Sequence, residues 1–397
     1  MQNSSPPQDV SSPFTLGWDI GGAHLKIAVL DQDGKLIVVE QYPCALWRGL
    51  DQLTPLLTQI LKKWTPIAQH AVTMSGEMVD LFTDRIAGVQ ALMHTFAGFA
   101  GEVPVRVFCA KHGFISLNGL EGYEADIASA NWLASAAWAA QHFEYGILLD
   151  IGSTTTDVLC FEGGVPTPIS IGDADRLISE ELVYSGVTRT PLMALAQRIT
   201  WRGKTRGVMA ELFATTADVY RVLGILPEYA DQHDAADGGE KTRKASIARM
   251  ARMIGLDGHE YDEAAWMELA EVWQALQQTH LQAALHRVQQ RLLTSPTVSV
   301  HDASAYPSPS FSSASSAGIS APTSKNSQPI PLVMAGVGRF LVSGLMNHGS
   351  APTDFITVEF GALGNLIHPD HHNPMLADYA SRCAPAVAVA ALLYAAQ

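Results

Sequence analysis

The residues with the clearest chemical potential form one run, Leu148-Leu149-Asp150-Ile151-Gly152-Ser153-Thr154-Thr155-Thr156-Asp157-Val158. An apolar run suited to a buried strand ends in a carboxylate, passes through a glycine turn lined with hydroxyls, and resumes as a strand at Val158. Amides freed by the glycine, with the side chains of Ser153, Thr154 and Thr155, can surround a phosphate, and a carboxylate at the strand end can hold Mg²⁺. The pattern occurs twice. Gly17-Trp18-Asp19-Ile20-Gly21-Gly22-Ala23-His24-Leu25-Lys26 repeats the Asp-Ile-Gly start and again leads into a strand. Position by position, Lys26 of one copy corresponds to Asp157 of the other, so one turn carries a cation for phosphate and the other a second carboxylate. Asp19 and Asp150 are the candidate metal ligands, Gly21, Gly22, Lys26, Gly152, Ser153, Thr154 and Thr155 the candidate phosphate binders.

Elements must be placed around these turns. Each copy continues to a polar turn and a third apolar run, 35–40 in the first and 165–171 in the second, so each reads as a three-stranded meander. Two such units in 397 residues predict an α/β protein of two related domains facing each other across a phosphate-binding cleft. The first domain is expected over 14–143 and the second over 144–383, with the Ala-rich helix 384–396 packing back on the first. Helices are predicted over 50–64, from Asp84, over 128–142, 189–198, 209–222, 245–253 and 263–293. The residues 1–13 form a polar tail, and 295–329, rich in Ser, Pro and Ala, read as a disordered insertion. The strand 71–74 runs into Ser75-Gly76-Glu77, which places Glu77 at the cleft as a candidate base, and a late strand ends in the turn Gly336-Val337-Gly338.

Composition narrows the partners. The balance of 25 basic against 39 acidic residues gives a net charge of −14, which disfavours nucleic acid, where binding is dominated by basic contacts. Hydrophobic residues are 47% and charged ones 16%, the profile of a well-buried globular chain. Four cysteines form no CxxC pair and read as buried thiols of a reducing compartment. The tail has no secretory pattern and no segment is long enough for a membrane span, so a cytoplasmic protein without membrane contact is expected. His371 and His372 beside Asp370 lack a spaced third ligand and read as a surface turn. Asn131 reads as bonding within its helix region, and Lys241 and Arg243 as a solvated loop.

The two Asp-x-Gly turns followed by Ala335-Gly336-Val337-Gly338 resemble the actin, sugar-kinase and chaperone ATPase superfamily, and within it the hydantoinase A/oxoprolinase branch, whose second phosphate motif matches Asp150 to Val158. The fold implied is a pair of actin-like (ribonuclease H-like) domains, with Gly336 and Gly338 in a nucleotide-like pocket. Ser129-Ala130-Asn131-Trp132, Ala217-Asp218-Val219-Tyr220, Asp237-Gly238-Gly239-Glu240-Lys241-Thr242 and Cys383-Ala384-Pro385-Ala386 are similar to a narrower family linked to tetrahydromethanopterin-dependent one-carbon transfer. That resemblance implies a transferase of methanofuran biosynthesis that joins an aminomethylfuran methyl diphosphate to the phenol of γ-glutamyltyramine and releases pyrophosphate. Its partners would be a small-molecule diphosphate and a phenol. Mg²⁺ near Asp19 and Asp150, with Lys26, would neutralise the leaving group, and Asp157, then Glu77, would take the phenol proton. The same turns would serve an ATP-dependent kinase or amide-ring hydrolase, with ATP as ligand, or a non-enzymatic nucleotide-binding switch.

Overall fold

The computed structural model describes residues 12–294, 328–347, 355–364, 366–367 and 374–397. Most of the tail 1–13 and of the insertion 295–329, together with His371 and His372, lies outside the described residues.

The first domain opens with β1 (Phe14–Ile20), β2 (His24–Leu30) and β3 (Leu36–Pro43), consecutive strands paired antiparallel. Helix α1 (Thr54–Lys63) returns the chain to β4 (Ile67–Met74), parallel to β1. Helix α2 (Arg85–Ala100) begins where the Asp84 carboxylate accepts the Ala87 amide at 2.8 Å, an N-cap that fixes its first turn. It leads to β5 (Val105–Cys109), parallel to β4, and β6 (Gly113–Ser116) closes the edge, giving the order β3-β2-β1-β4-β5-β6. Helices α3 (Glu124–Ile127) and α4 (Asn131–Ala140) deliver the chain to the second domain.

There β7 (Tyr145–Ile151) and β8 (Thr156–Glu162) repeat the antiparallel start. The third run differs from expectation. Only β9 (Val165–Pro166) pairs with β8, because Pro166 and Pro168 cannot donate to the ladder. After α5 (Asp173–Ser179), β10 (Leu182–Val183) takes the rest of that edge. The helix predicted over 189–198 is also corrected: α6 (Leu192–Leu195) is short and is followed by the hairpin β11 (Arg198–Trp201) and β12 (Lys204–Gly207). Buried Ile199 and Trp201 alternate with exposed Arg198 and Thr200, a period of two. Helices α7 (Thr216–Leu223), α8 (Arg243–Arg252) and α9 (Glu263–Thr294) follow. Strand β13 (Ile330–Ala335) then lies parallel to β7, α10 (Val342–Asn347) crosses, and β14 (Phe355–Glu359) completes the sheet β10-β8-β7-β13-β14.

Helices α11 (Pro374–Arg382) and α12 (Ala384–Ala395) close the chain. Helix α12 is buried along its length and lies across β1, β2 and β4 as well as α4. Gly17 makes that approach feasible, since a Cβ there would stand 2.1 Å from the Ala386 carbonyl. Apolar packing therefore has three parts: one core outside each sheet and a third between them, built on α4 and α12. The repeated antiparallel-then-parallel sheet with this helix order is the two-domain actin-like fold.

Candidate active site

Both β-hairpins that carry Asp-Ile-Gly close in the same way. Gly21 donates its amide to the His24 carbonyl at 3.0 Å, and Gly152 donates to Thr155 at 2.8 Å. Each turn is backed by the neighbouring parallel strand: the Ser75 amide meets the Ile20 carbonyl at 3.1 Å, and the Gly338 amide meets Ile151 at 2.8 Å. The turns face one cleft of about 550 Å³ between the domains. Asp19, Gly21, Gly22 and Lys26 line one wall, Asp150, Gly152, Ser153, Thr154, Thr155 and Asp157 the other.

Cross-strand register decides the charges. Asp19 pairs with Lys26 across β1 and β2, and their side chains meet at 3.2 Å. Burial alone would lower the Lys26 pKa, but Asp19 outweighs it and holds the ammonium above its usual value. In the second turn the same register sets Asp150 against Asp157. Arg176 of α5 supplies the missing cation at 2.5 Å from Asp157, and its fully buried guanidinium lies over the Trp132 ring, 3.8 Å from the centroid. Burial pushes the Asp157 carboxyl up, against the pull of Arg176. Asp150 makes no hydrogen bond or ion pair among the described residues. Burial and then Asp157 raise its pKa to about 7, with Lys26 countering.

Mg²⁺ keeps several waters and is held by one or two carboxylates plus substrate phosphates. Among the described residues no group of three or more His, Cys, Asp or Glu side chains is spaced to cage a metal. A free Asp150 carboxylate opening on amide-lined turns fits such a hydrated ion. Asp19 fits less well as a direct ligand, because Lys26 engages one oxygen and Asn131 Nδ2 reaches the other at 3.4 Å.

Two expectations are corrected. Glu77 is buried behind the cleft wall, where it accepts the Ser129 hydroxyl at 2.6 Å, and burial raises its pKa. Helix α2 presses on it so closely that a Cβ on Gly88 would lie 2.5 Å from the Glu77 carbonyl. Its contact with the cleft runs through Ser129, a residue held at φ 52 that turns the chain into α4. Gly336 and Gly338 do not line the cleft either. A Cβ on Gly336 would meet the Ile151 carbonyl at 2.2 Å and the Asp150 carboxylate at 2.4 Å, so Gly336 lies against the back of the cleft floor, and one on Gly338 would meet Ile151 and Val187 side chains at 2.5 Å. Close packing under β7 is what requires these glycines. Lys241 reaches Asp231, and Arg243 pairs with Glu263 at 2.8 Å, both away from the turns.

Sequence reasoning missed Arg176, Arg189, Trp47 and Trp132, and placed Asn131 within its helix instead of on the cleft. One signal was available: Asp157 facing Asp150 in register demands a cation, and Arg176 is a basic residue set among Asp173 and Asp175 in the next helix.

Paired Asp-Ile-Gly hairpins, each backed by a parallel strand and meeting in an interdomain cleft, define the class as a two-domain actin-like protein. The particular family follows from sequence comparison: the hydantoinase/oxoprolinase family model matches residues 69–308, and the chain belongs to that family. It is 32% identical over 244 residues to a (4-{4-[2-(γ-L-glutamylamino)ethyl]phenoxymethyl}furan-2-yl)methanamine synthase of Methanocaldococcus jannaschii, covering 61% of this chain and 72% of that protein. A Methanococcus vannielii protein of the same name is 34% identical over 111 residues, 28% of this chain and 50% of its own length. Among solved structures, nucleotide-free acetone carboxylase aligns over 85% of this chain and 68% of its own, at 12% identity and a TM-score of 0.44. The chain is an enzyme.

Proposed function

We propose that this enzyme is a transferase of methanofuran biosynthesis, joining an aminomethylfuran methyl diphosphate to the phenol oxygen of γ-glutamyltyramine with release of pyrophosphate. One observation carries the reading: two amide-lined turns converge on a floor where one lysine and one unpartnered carboxylate stand together. The names of the two relatives describe a product in which a furan methylene is joined to a phenol oxygen carrying a γ-glutamylaminoethyl arm, which supports this pairing of substrates.

The reaction breaks the bond between the furan methylene and the diphosphate oxygen, and that oxygen keeps the electron pair. The furan ring delocalises the positive charge left on the methylene carbon. Lys26, the amides of Gly21, Gly22, Gly152 and Ser153, and the hydroxyls of Ser153, Thr154 and Thr155 hold the charge that builds on the leaving group. Asp19 keeps Lys26 charged and in place. Asp150 would hold Mg²⁺ at this floor, and the ion would supply charge neutralisation. The phenol oxygen then bonds to the methylene carbon, and its proton passes to Asp157, oriented by Arg176. Trp47, Met78 and Tyr184 are exposed at the cleft and offer flat and apolar surface for two aromatic rings. The ATP-dependent alternatives want an adenosine pocket at Gly336 and Gly338, where the turn is packed against Ile151 and Val187 instead.

Pyrophosphate release with Mg²⁺ tests the reading. It is expected to need both organic substrates, to leave ATP intact, and to fall by about 100-fold or more in Asp150→Asn. Steady ATP cleavage without furan coupling would overturn it.

A further inference from the structure

The mouth of the cleft holds side chains that this floor chemistry leaves unused. Arg189 follows the loop that backs the second turn, its amide on the Ser153 carbonyl at 2.9 Å, and its guanidinium lies 4.9 Å from the ring centroid of Trp47 in the first domain. Among the described residues no carboxylate pairs with it, in a chain of 39 acidic against 25 basic residues. The other two cations of the cleft are both paired, Lys26 with Asp19 at 3.2 Å and Arg176 with Asp157 at 2.5 Å. Beside Arg189 stand two imidazoles from opposite domains, His24 and His233, with ring centroids 4.7 Å apart, and Trp47 lies 5.4 Å from His233. His24 is only 7% exposed, and Nε2 of both rings is buried without a hydrogen-bond partner. Burial holds the His24 pKa well below its usual value, helped by His233, Lys26 and Arg189, so each charged or titratable neighbour acting on this ring opposes another positive charge.

His233 is placed deliberately by its loop. Arg249, fully buried, binds Asp218 of α7 at 2.8 Å and Asp237 at 3.0 Å, and Arg221 pairs with Asp231, two residues before His233. The motifs around Asp218 and Asp237, otherwise without a task, thus fix the loop that brings His233 to His24.

We propose that Arg189 and His24, walled by His233 and Trp47, form a second oxyanion subsite at the cleft mouth that takes a phosphate or carboxylate group of the substrate. The guanidinium offers a planar fork of donors that a carboxylate or phosphate fills from two sides, and the His24 ring closes the wall beside it. Because His24 and Trp47 belong to the first domain and Arg189 and His233 to the second, an occupant touches both walls. The transferase reading bears only on which oxyanion sits there: the terminal phosphate of the diphosphate or the α-carboxylate of γ-glutamyltyramine.

Calorimetric titration of inorganic pyrophosphate, inorganic phosphate and γ-glutamyltyramine into the wild type, Arg189→Ala and Arg189→Lys tests it. Arg189→Ala is expected to weaken one ligand by about 10–100-fold, the loss of one or two charge-assisted hydrogen bonds. Arg189→Lys should recover only part, since an ammonium lacks the fork. Weakened pyrophosphate assigns the subsite to the leaving group, and weakened γ-glutamyltyramine assigns it to the acceptor. Unchanged affinities in Arg189→Ala, or no binding of any of the three by the wild type, overturn the subsite. Pyrophosphate binding needs no turnover, so a drop in Arg189→Ala beside a failed coupling assay would remove the transferase reading and leave the subsite standing. Arg189 is exposed, and an unchanged melting temperature in both variants separates lost binding from lost folding.

Discussion

The two glycine turns are the same backbone with opposite electrostatics. Both close from the glycine amide onto the carbonyl three residues on, and both lean on an amide from the adjacent parallel strand. Yet at one cross-strand position the first turn holds Lys26 and the second Asp157. The first turn neutralises itself. The second sets two acids side by side and brings Arg176 from α5 to hold one of them, which leaves Asp150 free. The backbone is constrained because it must present amides to an anion, whereas the paired side chains are free to divide the work between a fixed cation and a reserved carboxylate.

Removing the cation of each turn should give unequal results. Lys26→Met strands the buried Asp19 beside only a long amide contact from Asn131, and is expected to cost about 3–5 kcal/mol of stability. Arg176→Met strands Asp157, but Asp173 keeps Arg85 at 2.8 Å, and the cleft can hydrate Asp157, so about 2–3 kcal/mol is expected. Urea unfolding of both variants measures the difference. A larger loss in Arg176→Met would mean that the first turn does not neutralise itself as described.

How much of this comparison could be read beforehand depends on the range of each interaction. The duplicated Asp-Ile-Gly turns, Lys26 and Asp150 were legible because hairpin register is set within ten residues. Arg176 was signalled only by the unmatched acid Asp157, and Arg189 not at all, since their approach to the cleft is fixed by how α5 and the 186–189 loop pack on β8 and the second turn. Glu77 and Gly336 show a second limit. A polar residue after a strand can line a cleft or support it, and a glycine can admit a ligand or a neighbouring backbone. Here Ser129 stands between Glu77 and the cleft, and Ile151 fills the space beside Gly336. The prolines that shorten the third strand to Val165–Pro166 were visible and outweighed the apolar run.

Freeing Asp150 should carry a stability cost that depends on pH. Its folded-state pKa of about 7 lies above the ordinary carboxylate value, so the folded protein holds this proton more tightly than the unfolded chain. Stability is therefore lost as pH rises from about 4 to about 7, and the loss is constant above that. Water in the open cleft offsets part of it. Asp150→Asn is expected to be about 1–2 kcal/mol more stable than the wild type at pH 8 and no more stable at pH 4, while pyrophosphate release falls by about 100-fold or more. Thermal melts at the two pH values check this, and a variant less stable at pH 8 would show that Asp150 has a structural partner.

The smallest effects test the likeness of the turns instead of their difference. A Cβ on Gly21 would stand 2.9 Å from the His24 carbonyl, and a Cβ on Gly152 would stand 3.0 Å from the Thr155 carbonyl. In each case the atom approached is the acceptor of the hydrogen bond that closes the turn, so it cannot retreat without opening that bond. Gly21→Ala and Gly152→Ala should therefore each cost about 1–2 kcal/mol, and nearly the same amount. The turns sit on separate sheets and share no closing bond, so the double variant should lose the sum of the two. Equal single costs with a simple sum would establish one backbone solution used twice. A cost confined to Gly152 would instead mean that the hydroxyl-rich turn alone is held rigid, and that the first turn reshapes around its ligand.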